Sequence, residues 1–145
     1  MSATHPFTRG LVWAVLILSA CRDTTEPPSD DYMIVRFGFR DDATQSFDFV
    51  AHATRPSLLD SIRAELALPV DERRFPNGPV RTAEPDENLA WRWAYEPDAW
   101  HLTDFSVELC DGTPRYLDDN LDEWLASVGH YCPWSAYVKD TTWVR

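Results

Sequence analysis

The chain has almost no lysine, few cysteines and no long apolar run. Lys139 is its single lysine among 13 basic residues, which stand against 24 acidic ones for a formal net charge of −11. A field of that sign repels phosphate backbones and anionic lipid, which argues against nucleic-acid binding. The apolar stretch Leu11 to Leu18 is eight residues long, well short of the roughly 20 that a membrane helix needs. No G-x-S-x-G elbow, P-loop or dinucleotide fingerprint occurs. Close C-x-x-C or H-x-x-x-H pairs are also missing, so a zinc set drawn from Cys110, Cys132, His101 and His130 has no local framework. The acidic run "LDDNLDE" lacks both the EF-hand spacing and its turn glycine. No metal or cofactor is expected.

What is present at the N-terminus points to export. Arg9 precedes the apolar core, and "LSAC" (Leu18 to Cys21) follows it directly. A positive region, an apolar core and small residues before a cut describe a secretory signal over residues 1–20. "LSAC" also resembles the bacterial lipobox, in which the cysteine becomes the lipidated first residue of the mature chain, so Cys21 is the expected lipidation site. Two or more acyl chains would then hold the protein stably on a membrane. "RDTTEPPSD" (Arg22 to Asp30) reads as a polar tether, so residues 21–30 form a lipidated, flexible lead. Arg22 stands where an aspartate would favour inner-membrane retention. The expected location is the cell envelope, outside the cytoplasm, at the outer membrane in a Gram-negative source.

Lipidation uses one of the three cysteines and leaves Cys110 and Cys132. Exported chains meet oxidising conditions, so these two form a candidate disulfide. Two other uses stay open from the residues alone: metal ligation, and a thiol nucleophile at Cys132 served by His130.

Residues 31–145 suit one compact domain. "YMIVRFGF" (Tyr32 to Phe39) and "SFDFVAHA" (Ser46 to Ala53) read as a hairpin. Thr54 is a candidate cap for a helix from Pro56, with Leu58, Leu59, Ile62 and Leu66 as its apolar stripe and Pro69 at its end. On that helix Arg63 is balanced by Asp60 and Glu65. "PVDERRFPNGPV" holds three prolines and an Asn-Gly and reads as an exposed loop. "LAWRWAYE" (Leu89 to Glu96) and "TDFSVELC" (Thr103 to Cys110) read as strands, the second with Phe105, Val107 and Leu109 on its dry face. Thr113-Pro114 opens a second helix that Gly129 closes, with Leu117, Leu121, Trp124, Leu125 and Val128 on one side. A last strand falls in "SAYVKDTTWV". The expected class is α+β, an antiparallel sheet of about four to five strands packed with two amphipathic helices and one disulfide.

Glu108 to Asp111 ("E-x-C-D") and Cys132 to Ser135 ("CPWS") carry a resemblance to a family, which extends over most of Phe47 to Asp140. The chain resembles small secreted bacterial domains grouped with the N-terminal domain of the slime-mould protein BP-seventy-four, some of which are labelled calmodulin-binding. The likeness implies a shared fold and the cysteine pair, not a reaction. Family members often carry a histidine where this chain has Ala94, so any role of that histidine is missing here. The calmodulin label sits badly with these residues. Calmodulin targets are basic amphipathic helices, and the second helix here is strongly acidic.

Two functional readings follow. The first is a lipid-anchored, non-catalytic domain that binds a protein, peptide or glycan, with Trp91, Trp93 and Trp134 as candidate contacts. Trp91 and Trp93 share one face of the expected strand, and exposed aromatics stack on sugars or anchor partners. Core filling is the competing use of the same rings. The second is a small hydrolase using the carboxylates of Glu108 and Asp111. Its competitor is structural: Asp111 capping a turn, and Glu108 on the wet face of a strand.

Overall fold

A computed structural model describes residues 31–145, so the signal, Cys21 and the tether lie outside the described residues. Strand β1 (Tyr32–Phe39) is the spine of the first sheet. Its alternation buries Met33, Val35 and Phe37 and leaves Tyr32, Ile34 and Arg36 on the other face. It pairs antiparallel with β2 (Phe49–Ala53), Met33 opposite Ala53 and Phe37 opposite Phe49. The expected hairpin forms, and Asp42 organises its turn by accepting from the N–H groups of Thr44 and Phe47.

Helix α1 (Pro56–Leu66) buries Leu58, Leu59 and Ile62 as its stripe requires. Thr54 does not cap it. The Thr54 N–H and hydroxyl both bond the Asp98 carboxylate, and the N-cap position falls to Arg55.

The expected proline-rich loop is instead strand β3 (Phe75–Thr82), the spine of a second sheet. Proline's fixed φ is compatible with extended chain, and its cost is the missing donor. The ladder answers by using three short partners in succession. β4 (Trp93–Tyr95) covers Val80 to Thr82, β5 (His101–Thr103) covers Phe75 to Asn77, and β6 (His130–Tyr131) covers Gly78 and Pro79. Gly78 faces Trp100 at the crossing. A Cβ there would lie 2.5 Å from the Trp100 Cβ and 2.6 Å from its Cα, a separation only glycine permits.

Two further elements differ from the sequence reading. The chain leaves the sheet after Thr103, whose hydroxyl accepts from the Phe105 N–H, and ends in a 3-10 turn over Glu108–Cys110. Phe105, Val107 and Leu109 are therefore 81%, 64% and 70% exposed rather than on a dry face. The acidic helix is two helices, α2 (Pro114–Asp119) and α3 (Leu121–Ser127), broken at Asn120. Thr113 caps the first through the Tyr116 N–H, and Gly129 at φ 70° closes the second. β7 (Ala136–Val144) returns along β1, giving the order β2-β1-β7.

The α+β class stands, with its strands divided between two antiparallel sheets. They share one aromatic core in which Phe49 meets Phe37, Trp93 and Tyr131 at centroid distances of 4.9, 5.3 and 6.0 Å. The outer edge of β2 is filled by side chains, not by a strand. Trp91 Nε1 donates to the Asp48 carbonyl, Asn88 Oδ1 accepts from the Val50 N–H, and Trp100 Nε1 donates to the His52 carbonyl. An edge satisfied in this way is closed to strand addition.

Cys110 and Cys132 form the expected disulfide, with Cα atoms 5.1 Å apart and the Cys132 N–H donating to the Cys110 carbonyl at 2.8 Å. The bridge packs on Phe75 and Val128 and closes a loop of 22 residues that contains both short helices. Replacing both cysteines with alanine is expected to cost about 3 kcal/mol by the chain-entropy argument, a fall in Tm on the order of 10 °C. Thermal unfolding followed by far-UV circular dichroism checks this. A fall of only a degree or two would mean that helix packing, not loop closure, holds the segment.

Candidate functional site

The outer face of the first sheet carries a groove. Tyr32 and Ile34 from β1 and Val50 and His52 from β2 form its floor. The loop from Glu84 to Leu89 forms its wall, with Pro85, Asp86 and Glu87 also lining the space. Its volume is about 600 Å³, within the usual range of small-ligand and peptide sites.

The wall is built to hold one shape. Glu87 makes a two-pronged ion pair with Arg81 and accepts the Glu84 N–H at 2.8 Å. Asn88 is 1% exposed and bridges the sheets, accepting from Val50 N–H and donating to the Trp93 carbonyl at 2.6 Å. Flanking these anchors, Asp86 and Leu89 sit at φ 64° and 47°, in the left-handed region. Aspartate tolerates that region, but leucine pays on the order of 1 kcal/mol for it. Leu89 is also 53% exposed, so burial does not offset the strain.

The charges are uneven. Burial pushes His52 below its ordinary value of 6.5, and Arg81 adds to that, against an opposing pull from Glu87. His52 is thus neutral at neutral pH, its ring packed on Tyr32 at 4.8 Å. For Glu87 burial alone would raise the carboxyl, but the Arg81 hydrogen bond and the Glu84 N–H outweigh it and hold the group below 4.5. Among the described residues, the exposed carboxylates of Glu84 and Asp86 accept no side-chain hydrogen bond and join no ion pair.

The candidates from the sequence are scattered. Trp93 is fully buried in the core, a correction to its reading as a contact residue. Trp91 is not on its strand and shares no face with Trp93; it is half-buried, and its indole N–H serves the β2 edge. Trp134 is 41% exposed beside the disulfide, with its N–H bonded to Asp111. The three rings therefore form no platform. Glu108 points to solvent on the 3-10 turn, while Asp111 lines a separate cavity of about 250 Å³ with Asp41 and Asp42. Two of those three carboxylates hold backbone: Asp42 its own turn, and Asp111 the Trp134 N–H. With its sulfur bonded to Cys110, Cys132 offers no thiol to His130. Among the described residues no three His, Cys, Asp or Glu side chains are placed to hold a metal ion, and no helix is long and apolar enough to cross a membrane.

The paired cysteines, the closed β2 edge and all but the first residue of β1 and the last of β7 fall within one stretch that matches a known family. The family of the BP-seventy-four N-terminal domain matches residues 33–143. The chain belongs to that family. The matched span begins in β1 and ends in β7, so this BP-seventy-four N-terminal domain contains both the groove and the disulfide. No curated protein and no solved structure matches the chain. The groove residues of this domain were not legible as a site. His52 sits in an ordinary strand pattern, and "EPDEN" (Glu84 to Asn88) carries only the proline and Asp/Asn signature of a turn.

Proposed function

We propose that this chain is a lipid-anchored, extracytoplasmic domain that binds a protein, peptide or glycan ligand and does not transform it. The anchor is Cys21, whose lipobox context motivates it. The observation that carries the binding reading is Leu89, an apolar side chain kept exposed and in a left-handed conformation on the wall of a groove. Strain that the surrounding structure over-determines clusters at ligand clamps. Outer-membrane sorting in a Gram-negative source follows from Arg22.

Replacing Leu89 with glycine tests the reading without knowledge of the ligand. Glycine adopts positive φ freely, so the free domain should keep its stability or gain up to about 1 kcal/mol in urea unfolding. A loss above about 1 kcal/mol would make Leu89 a structural residue and remove the support for a binding groove. For the anchor, radiolabelled palmitate should enter the wild-type protein and not Cys21→Ser; labelling retained in the variant refutes lipidation at Cys21.

A further inference from the structure

The groove also has features that select what enters it. Its lining is aliphatic as much as aromatic: Ile34 and Val50 on the floor and Leu89 on the wall line it, and the Tyr32 ring is engaged by His52. A sugar would seek an open aromatic face for stacking. Aliphatic surface beside carboxylates suits instead the methylene stem and charged head of lysine or arginine, which bury one and keep the other polar. Glu87 is committed to Arg81, but Glu84 and Asp86 stand at the same rim outside any ion pair among the described residues. The cations nearest the floor are already paired, Arg36 beside Val50 with Asp48 and Arg81 with Glu87, and His52 is neutral at neutral pH. The chain around it carries 24 acidic residues against 13 basic ones, a field that draws cations in and turns anions away.

We propose that the groove between the β1–β2 face and the Glu84–Leu89 loop docks a basic segment of a partner protein, seating lysine or arginine stems on Ile34, Val50 and Leu89 with their heads at Glu84 and Asp86. This rests on the binding reading above and names its ligand class. A groove of about 600 Å³ takes a few residues of extended peptide. The β2 edge is closed by side chains, so the segment lies across the sheet face and does not add a strand. An acidic partner such as a calmodulin-type domain would be repelled.

The test uses the full mature protein in detergent and fluorescence anisotropy of labelled peptides. The probes are an alternating leucine–lysine/arginine pentapeptide, its leucine–glutamate counterpart, and spermine as competitor. The basic peptide should bind and the acidic one should not. Glu84→Gln with Asp86→Asn should weaken binding about tenfold or more, as should a rise from about 50 to about 500 mM salt. Asp119→Asn with Glu123→Gln, on α2 and α3, should leave it unchanged. No binding of the basic peptide, equal loss in the two double variants, or equal binding of the acidic peptide each overturns the proposal. Displacement by equimolar spermine also overturns it, in favour of a small polyamine site. Should the peptide fail to bind while Leu89→Gly keeps full stability, the ligand class is wrong and the binding groove survives.

Discussion

Trp100→Ala should destabilise the domain by about 3–5 kcal/mol, a large part of the roughly 5–15 kcal/mol that holds a typical domain folded. Trp100 is fully buried, and its ring meets Phe37 edge-on at 5.5 Å and Tyr95 at 6.0 Å. Its Nε1 donates to the His52 carbonyl on the β2 edge. Truncation therefore opens a cavity at the junction of the two sheets and strands a backbone acceptor beneath the groove. Trp100→Phe keeps most of the volume but loses that hydrogen bond, so a smaller loss of about 1–2 kcal/mol is expected. Urea unfolding by far-UV circular dichroism separates the two, since the five other tryptophans among the described residues confuse fluorescence. A loss under about 1 kcal/mol for the alanine variant would mean that the core collapses around the gap.

The same contact shows where sequence reading stops. Strands β1, β2 and β7 and helix α1 were legible because each has a strong local period, as in Leu58, Leu59 and Ile62. The lipobox arithmetic singles out the Cys110–Cys132 pair without any geometry. β3 was hidden by its own chemistry. Pro76, Asn77, Gly78 and Pro79 carry the local signature of a turn, and only the tertiary approach of Trp100 explains why glycine stands at 78. The Phe105, Val107, Leu109 alternation misled in the opposite direction. It has the period of a half-buried strand, yet Cys110 must reach Cys132, and the segment leaves the sheet to get there.

The site was less legible than the fold. A groove is a property of two segments 30 or more residues apart, and neither carries a motif. The strain at Leu89 depends on the Glu87 and Asn88 anchors that lie between it and Asp86, which no single-sequence period encodes. The tryptophans drew attention by their number, but Trp93 and Trp100 are core, and Trp91 closes the edge of a strand.

Arg74→Ala is the second substitution with a large expected cost, about 3 kcal/mol. The composition of α1 set Glu65 beside Asp60 as a surface balance for Arg63. Only the Asp60–Arg63 pair is on the surface, at 2.9 Å. Glu65 falls seven residues after Leu58 and three after Ile62, on the buried stripe, and its side chain is 2% exposed. Its carboxylate survives there because Arg74 supplies both a backbone N–H at 2.6 Å and the guanidinium Nε at 2.7 Å. Removing the Arg74 side chain leaves a buried charge with one remaining donor, a change that typically costs about 3–5 kcal/mol; the lower end applies because Arg74 is 39% exposed. Glu65→Gln keeps the size and an acceptor for the Arg74 N–H while cancelling the charge, and it strands only an arginine that reaches water. Its cost should be about 1–2 kcal/mol. The double variant should then be less destabilised than the sum of the two, by about 1 kcal/mol or more. Strict additivity in urea unfolding would mean that the ion pair contributes nothing, and that packing of the two stems holds α1 to the start of β3.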